Sequence, residues 1–467
     1  MRLSLLPVVL LLLSAPLTAQ FTDLEARIDS LVPPLVHDGT PGLVVGVVQN
    51  GELVFGKGYG LANLAYGIPN DPEMVYNIGS VTKQFLGYAF AMLHVADSLD
   101  LDDPVGKYLD DWPEFDEPVT LRHLLTHTSG YREAYTMSEL AGRAVGVDRL
   151  SREESLTVVR RQSKLEFRPG SRYTYNSTAW VILAEVLAEV TGEPADEWVT
   201  ENVLQPLGMD ASQIESYVGE PIRNAAESYN YVPTLGYVNE HSNRALFGGA
   251  DLYVNLPDLA KWIDNYKTAV LGGPEVNALF LDPYTLTDGT NSEYGLGIQI
   301  NEYRGLRRYR HTGGHEAFVT QLSYYPEQDV GIIVISNSGG QSAVPSMDIA
   351  DRVLADVLEP VTEKPANQMP KSDTETPGWE PTTDILAEYT GDYYSEELET
   401  VYHLVVEEGR LLVRHRWLGD VRLRAVTEDA FAAAGFEVRF ERNAEAKVSG
   451  FAINSGRTLG VWFERTE

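Results

Sequence analysis

The chain has 467 residues, of which 43% are hydrophobic and 22% are charged, enough apolar material for more than one hydrophobic core. Its formal net charge of -32 disfavours nucleic acids and anionic membrane surfaces as partners, because their phosphates would be repelled. The absence of cysteine excludes disulfides, thiol catalysis, thiolate metal ligands and a lipid-anchor cysteine.

The first residues have the pattern of a signal peptide. Arg2 precedes an apolar run over 5–13, and small residues follow as far as Ala19. Because the run is too short to cross a bilayer, we expect residues 1–19 to be removed on export to the periplasm or the extracellular space. No later stretch is apolar enough for a membrane helix, so none is expected in the mature chain.

Strand patterns stand at both ends of the region 20–360, and helical patterns fill its middle. The Asn50-Gly51 pair is typical of the type I′ turn of a hairpin. The patterns predict helices at 21–38, 80–99, 178–190 and 348–358 and strands at 43–48, 53–58, 294–300, 318–325 and 330–336. We therefore expect an α/β (α+β) fold, with one sheet built from the two ends and a helical subdomain inserted between them.

A change of composition follows. Residues 361–383 are rich in Pro, Thr, Lys, Asp and Glu without apolar periodicity, which predicts a linker. Residues 384–467 show short alternating runs typical of a small antiparallel β-barrel domain. Its predicted strands are 401–406, 411–417, 421–425, 437–441, 450–454 and 458–463.

Ser80 and Lys83 form an S-x-x-K sequence, and no other serine has lysine three residues later. Residues three apart share a face of a helix. A lysine whose charge is disfavoured by burial or by nearby cations can take the proton of a serine hydroxyl and create a nucleophile. Alone, the sequence is more often a helix cap followed by an exposed lysine.

Tyr175 lies in a turn just before the 178–190 helix. A phenol that shares a proton with Lys83 can act as general base and then as general acid. Since the chain has 25 tyrosines, a single one is more often a packing residue.

The sequence His311-Thr312-Gly313-Gly314 comes just before a predicted strand. Glycines in such a place let a substrate lie close to the backbone. The N–H of Gly314 beside that of Ser80 could form an oxyanion hole. Read alone, the segment is an ordinary turn.

Together and in this order, these motifs resemble those of the serine β-lactamase and penicillin-binding superfamily, specifically the class C β-lactamase-like serine hydrolases. The resemblance covers residues 25–360. Beyond the three motifs it includes the segments 101–105, 121–130, 206–209 and 294–297, of which 121–130 is the most specific. It implies a β-lactamase/transpeptidase-like fold, in which an antiparallel sheet is flanked by helices and the active site lies beside the helical subdomain. The tail from residue 384 resembles the lipocalin-like barrel appended to many such hydrolases.

The resemblance also implies roles for individual residues. Ser80 would be the nucleophile, Lys83 its partner base and Tyr175 a second acid–base residue, with the oxyanion held by the N–H groups of Ser80 and Gly314. Substrate contacts would come from His311, Thr312, Gly313, Ser177 and Asn176. The implied reaction is acyl transfer from an amide or ester of a small-molecule or peptide substrate, without metal or cofactor.

Two positions depart from the family pattern. Its Y-x-N motif has asparagine where this chain has Ser177, while Asn176 stands one position early. His311 stands where many relatives have the lysine of a K-T-G strand. Because histidine, with an ordinary pKa of ~6.5, is mostly neutral at neutral pH, we expect weaker selection for carboxylate-bearing substrates and a preference for esters or peptides over β-lactams.

Two other functions remain open. The first is a metal hydrolase, because His123 and His127, and likewise His311 and His315, have the H-x-x-x-H spacing of zinc ligands on a helix. Neither pair is H-E-x-x-H, and no acidic ligand with motif spacing accompanies them. The other alternative, suggested by Ser177, is a catalytically weak or dead relative that binds peptides or peptidoglycan.

Overall fold

The computed structural model describes residues 24–32, 36–37, 39–144, 147–244, 247–339, 346–355, 357–358 and 379–466. The predicted signal peptide, 1–19, and most of the predicted linker, 361–383, lie outside these residues. In the part of the chain that is described, no helix has the length and apolar character needed to cross a membrane.

The central sheet has six antiparallel strands and is built from the two ends of the first region, as predicted. The order is β10-β11-β12-β13-β1-β2. These strands are β1 (Leu43–Gln49), β2 (Glu52–Tyr59), β10 (Gln299–Tyr303), β11 (Leu306–His315), β12 (Phe318–Tyr325) and β13 (Val330–Ser336). The two ends meet where β1 pairs with β13, from Leu43 opposite Ser336 to Gln49 opposite Val330.

Strands β1 and β13 are buried on both faces, which explains their nearly continuous valine and isoleucine content. Successive side chains of a strand point to opposite faces. Val44 and Val48 therefore enter the core of the helical layer, whereas Leu43, Val45 and Val47 enter a second core on the other face. The sheet is thus the middle layer between two sets of helices.

Helices on both sides of the sheet and short strands complete this region. The helices are α1 (Leu24–Asp29), α2 (Lys83–Val95), α3 (Leu121–Leu125), α4 (Ala134–Leu140), α5 (Arg152–Arg160), α6 (Thr178–Thr191), α7 (Ala195–Val199), α8 (Leu256–Thr268), α9 (Gly273–Phe280) and α10 (Ser346–Val353). The short strands are β3 (Leu61–Asn63), β4 (Ile68–Pro69), β5 (Tyr76–Asn77), β6 (Gln213–Ile214), β7 (Ser228–Val232), β8 (Gly236–Glu240) and β9 (Leu252–Val254). Most side chains of α2 and α6 are buried in one core, where Phe85 stacks on Trp262 at 4.2 Å.

The C-terminal residues form a closed eight-stranded antiparallel barrel, which confirms the predicted barrel fold. It follows the short helix α11 (Thr383–Leu386) and consists of β14 (Gly391–Ser395), β15 (Thr400–Glu407), β16 (Arg410–His415), β17 (Gly419–Thr427), β18 (Ala430–Ala433), β19 (Phe436–Arg442), β20 (Val448–Ser455) and β21 (Thr458–Arg465). Aromatic side chains such as Tyr393, Phe440 and Phe451 fill its interior, so the barrel has a packed core.

The barrel packs against helix α4. Met137 and Leu140 of α4 belong to the same apolar cluster as the barrel interior. The Tyr402 hydroxyl donates a hydrogen bond to the Leu140 carbonyl at 2.6 Å. Helix α4 therefore joins the core of the barrel to the helical layer.

A buried ion-pair cluster around Arg132 reinforces this contact. The Arg132 guanidinium lies 2.8 Å from Glu397 of the barrel and 3.2 Å from Glu166, and all three side chains are almost wholly buried. It also donates to the carbonyls of Leu459 and, at 3.3 Å, Gly460. One arginine thus pairs with a carboxylate on each side of the contact and with two carbonyls of the barrel.

Several predicted boundaries in the first region were wrong. Helix α1 spans six residues of the predicted 21–38 helix. The predicted 80–99 helix begins as a 3-10 turn and ends at Val95, because Asp97 adopts a left-handed conformation. The strand predicted at 294–300 starts at Gln299, since the preceding glycines form a turn in which Gly297 has φ 97°.

The glycine-rich segment from His311 to Gly314 was also misjudged. It lies inside β11 and pairs with β12, rather than forming a turn before a strand. In the barrel, β14 and β18 were not predicted. Strand β18 has the sequence AFAA, which lacks the polar–apolar alternation that identified its neighbours.

We predict that Arg132→Met strongly destabilises the protein. Removal of the guanidinium leaves Glu166 and Glu397 buried without a cation, at a cost of about 3–5 kcal/mol. The free energy of urea unfolding measures the effect. The matched control is Arg152→Met, which breaks a half-exposed pair with Glu185 and should cost about 0–1 kcal/mol. Equal losses in the two variants would contradict the structural role of Arg132.

Candidate active site

A cavity of about 410 Å³ lies where the Ser80 turn, strand β11 and one barrel hairpin meet. Five of the predicted site residues with polar side chains line it: Ser80, Tyr175, Ser177, His311 and Thr312. The remaining lining residues are Tyr135, Arg244, Gly249, Ala250, Gln299, Gly314, His315 and Arg457. The structure thus brings together segments that are far apart in the sequence.

Ser80 lies in a 3-10 turn, Gly79–Thr82, which leads directly into α2. The Asn77 side-chain oxygen accepts a hydrogen bond from the Gly79 N–H at 2.8 Å and fixes the start of the turn. One turn later Lys83 is completely buried, and its Nζ lies 3.2 Å from Ser80 Oγ and 2.8 Å from the Gly249 carbonyl. The predicted Ser80–Lys83 contact therefore exists, and the Lys83 nitrogen is held between the serine hydroxyl and the Gly249 carbonyl.

The electrostatics of the site favour a neutral Lys83. Burial lowers the pKa of this lysine to about 7, and the Arg457 guanidinium acts in the same direction. The carboxylates of Glu133 and Asp251 oppose the shift. At an unperturbed pKa of ~10.4 only about one lysine in 2,500 would be neutral at pH 7, whereas at a pKa of about 7 roughly half are.

Strand β11 passes so close to the Ser80 turn that only glycine fits. A Cβ atom on Gly313 would lie 1.9 Å from the Ile78 carbonyl oxygen, and one on Gly79 would lie 2.6 Å from the Gly314 nitrogen. Gly79 also has φ 51°, in the left-handed region. The backbones of Ser80 and Gly314 thus lie side by side at the cavity, as an oxyanion hole made from their amides requires.

The Tyr175 ring lies close to the side chains of Lys83 and Arg457. Lys83 Nζ is 5.0 Å from its centroid and Arg457 Cζ is 4.7 Å from it. The hydroxyl is buried and makes no hydrogen bond within the described residues. Burial raises the pKa of Tyr175, a shift that the Ser80 side chain and Arg457 only partly oppose, so the phenol is protonated at neutral pH.

His311 belongs to a buried hydrogen-bonded chain that sequence reasoning missed. The Asn176 N–H donates to His127 Nδ1 at 3.0 Å, which assigns the His127 proton to Nε2, 3.2 Å from the Tyr294 hydroxyl. That hydroxyl donates to His311 Nε2 at 2.8 Å, and His311 Nδ1–H donates to the Thr312 carbonyl at 2.6 Å. Burial, aided by Lys83, lowers the pKa of His311 to about 3, so its imidazole is neutral.

Asn176 does not line the cavity. Its side-chain amide donates to the carbonyls of Tyr131 and Arg132, at 2.7 and 3.1 Å, and its oxygen accepts the Ala179 N–H at 2.8 Å. These bonds tie residues 131 and 132, which follow the 121–130 segment, to the start of α6. We correct the earlier expectation accordingly: Asn176 holds the loop, and Ser177 is the residue of this pair that reaches the cavity.

Three contributors to the cavity had no recognisable signal in the sequence or only a weak one. Gly249 lines the cavity, and its neighbour Gly248 must be glycine because a Cβ there would lie 2.2 Å from the Trp180 carbonyl oxygen. The pair of adjacent glycines was the available signal. Arg244 pairs with Glu316 at 3.0 Å. Arg457 comes from the barrel, where no motif marked it.

The two H-x-x-x-H pairs do not form a shared site in the structure. The spacing of His311 and His315 suits a helix, but both lie in β11. His123 belongs to the N-terminal cap of α3, where its Nδ1 accepts the Thr120 N–H at 3.2 Å. Within the described residues, no three histidine or acidic side chains cluster closely enough to hold a metal ion.

Comparison with known proteins agrees with this geometry. The sequence pattern of the beta-lactamase family matches residues 28–356, more than half of the chain. The chain belongs to the beta-lactamase family. The resemblance to β-lactamase-like and penicillin-binding serine hydrolases is thereby confirmed.

Individual relatives are distant. The penicillin-binding protein PbpX of Bacillus subtilis is 29% identical over 54% of this chain and 61% of its own length. A D-aminopeptidase of Cereibacter sphaeroides is 26% identical over 69% of this chain, and again 61% of its own length is matched. The chain thus spans about three fifths of the length of these curated relatives.

A solved structure resembles nearly the whole molecule. The octameric penicillin-binding protein homologue from Pyrococcus abyssi aligns with a TM-score of 0.61 and 22% identity. The alignment covers 96% of this chain and 99% of the other, and so extends over the barrel as well as the first region. At this identity the likeness establishes a shared fold.

We predict that Gly313→Ala disrupts the contact between β11 and the Ser80 turn. The added methyl group would meet the Ile78 carbonyl, which cannot move without displacing the turn, at a cost of about 1–3 kcal/mol. Gly314→Ala is the matched control, because nothing lies within 4 Å of its Cβ. Urea unfolding measures both variants. A Gly313→Ala protein as stable as Gly314→Ala would disprove the close approach.

Proposed function

We propose that this protein is a serine hydrolase that cleaves an amide or ester through an acyl-enzyme on Ser80. The observation that carries the proposal is the buried Lys83 Nζ, 3.2 Å from Ser80 Oγ. A lysine that is half neutral at pH 7 can act as the general base that a serine nucleophile needs. The open cavity beside Ser80 has room for a substrate carbonyl.

Protons move in a balanced cycle in this proposal. Neutral Lys83 takes the proton of Ser80 as Oγ attacks the carbonyl carbon, and the oxyanion forms against the amides of Ser80 and Gly314. The protonated Tyr175 donates its proton to the leaving nitrogen or oxygen as the bond to the carbonyl breaks. The tyrosinate then recovers a proton from the Lys83 ammonium.

The acyl-enzyme is released by water in the second half of the cycle. Lys83, neutral again, accepts a proton from water through Tyr175 as the hydroxide attacks the acyl carbon. Ser80 leaves as an alkoxide and takes a proton from the Lys83 ammonium, which restores the starting state. No other titratable group needs to change its charge in this cycle.

We propose short peptides, including those with D-residues, as the substrate class. The D-aminopeptidase of Cereibacter sphaeroides and the penicillin-binding protein of Bacillus subtilis support this choice, although only part of each is matched. The basic N-terminus, the apolar run and Ala19 support export to the periplasm or outside the cell. A relative that merely binds peptides would not need the buried Lys83 that this site retains.

We predict that a fluorophosphonate probe labels Ser80 and that Ser80→Ala abolishes labelling and hydrolysis of acyl esters. Mass spectrometry of the digested protein identifies the modified peptide. Ser155, a buried helical serine outside the cavity, provides the matched control, because Ser155→Ala should keep both activities. A protein that hydrolyses esters without an adduct on Ser80, or loses activity with a chelator, would contradict the proposal.

We predict that labelling of Ser80 accelerates as the pH rises from 5 to 8 and then levels off. Only the neutral form of Lys83 accepts the serine proton, and its pKa is lowered to about 7, so activity is lost as the pH falls through that value. Rate constants for probe labelling, measured over this range, test the prediction. An inflection above pH 9 would show that Lys83 has an ordinary pKa.

A further inference from the structure

The hairpin between β20 and β21 carries Arg457 into the cavity of the other domain. Gly456 and Arg457 form its turn, and Arg457 lines the same cavity as Ser80. Its Cζ lies 4.7 Å from the centroid of the Tyr175 ring, an arrangement in which the ring face attracts the cation. The barrel therefore contributes a side chain to the site.

Buried contacts directly after the turn fix this hairpin. Next to Arg457, the Thr458 hydroxyl accepts the Glu133 N–H at 3.4 Å and is itself fully buried. The following carbonyls, those of Leu459 and Gly460, accept hydrogen bonds from Arg132. The position of Arg457 thus depends on the buried cluster that joins the two domains.

The lining of this cavity carries arginines and no carboxylate, although the protein is strongly acidic. The chain has 68 acidic residues and a net charge of -32, yet no aspartate or glutamate lines this cavity. Of its two arginines, Arg244 is neutralised by Glu316 at 3.0 Å. Arg457 has no carboxylate partner within 4.0 Å among the described residues, so its guanidinium donors remain available to a ligand.

We propose that Arg457 binds a carboxylate of the substrate and selects peptides whose leaving group is a C-terminal amino acid. The inference rests on the proposed function. The guanidinium lies against Tyr175, which donates the proton to the leaving group, so an anion held by Arg457 belongs to that group. A planar guanidinium can hold a carboxylate through two parallel hydrogen bonds.

This inference revises the expectation drawn from His311. Its imidazole is neutral and both ring nitrogens are engaged within the protein, so strand β11 provides no cation at that position. The expectation of weak carboxylate selection followed from that absence. Arg457 restores a cation to the cavity from the barrel, and selection for a carboxylate is expected after all.

The test compares two substrates that differ in one charge. The first substrate is an N-acetylated dipeptide of D-alanine with a free C-terminal carboxylate, and the second is its C-terminal amide. Each is incubated with the full chain at pH 9. This pH lies well above the pKa of about 7 of Lys83 and so reduces the influence of Arg457 on the general base. Values of kcat/KM for both substrates are measured in the wild type, Arg457→Gln, Arg457→Lys and Arg416→Gln.

We expect the wild type to prefer the acid. Arg457→Gln should lose about ten- to a hundredfold in kcat/KM on the acid, as for removal of a charged hydrogen bond, and less than about threefold on the amide. Arg457→Lys should recover part of the loss. Arg416 is the matched control: it too is a barrel arginine over an aromatic ring, at 4.5 Å from Trp417, but it does not line the cavity.

Two results would overturn the inference: equal loss on both substrates in Arg457→Gln, or a wild type that does not prefer the acid. Probe labelling of Ser80 separates this failure from failure of the proposed function. A wild type that labels at Ser80 but lacks the preference contradicts only the role of Arg457. A wild type that does not label contradicts the hydrolase itself.

Discussion

The burial of one ammonium group beside one hydroxyl is the constraint on which the rest of the site depends. Lys83 has no contact with solvent, and its Nζ is shared between Ser80 Oγ and the Gly249 carbonyl. Burial costs a charged lysine its hydration, and within the described residues no carboxylate is hydrogen-bonded to it in return. The group therefore favours its neutral form, which is the form that can accept a proton.

Several elements of the fold surround Lys83 and keep it buried. Helix α2 begins at Lys83 inside the largest apolar core, and the glycines at 248 and 249 let the chain approach the lysine closely enough to present a carbonyl. Strand β11, at the edge of the same cavity, requires Gly313 for its contact with the Ser80 turn. The barrel completes the enclosure with Arg457, whose charge further disfavours the ammonium.

The sequence was most informative where a physical pattern is local. Asn50 and Gly51 both have positive φ, as a type I′ turn requires, and Gly192 ends α6 in the left-handed conformation. The strands at 318–325 and 330–336 agree with β12 and β13, because buried strands have an unmistakable apolar run. Ser80, Lys83 and Tyr175 could be predicted because they lie in short sequence motifs that occur in the same order as in the family.

What the sequence could not provide were contacts between distant segments. Asn176 was taken for a substrate ligand, but its amide is used by carbonyls 44 and 45 residues away. The hydrogen-bonded series His127, Tyr294 and His311 joins three segments that are distant in the sequence. No characteristic spacing connects these residues. Arg457 is an arginine in a hairpin turn of the barrel, and the contacts of the barrel with α4 and Arg132 bring it to the Ser80 cavity.

The ionisation of Lys83 is the most direct test of this account. Lysine side chains labelled with ¹³C at Cε can be titrated by NMR, and the Lys83→Arg variant identifies the resonance of Lys83 by its disappearance. The account predicts a midpoint near pH 7 for this resonance and ordinary midpoints above 10 for exposed lysines. A midpoint of Lys83 above pH 9 would contradict the account, because the base beside Ser80 would then be charged at neutral pH.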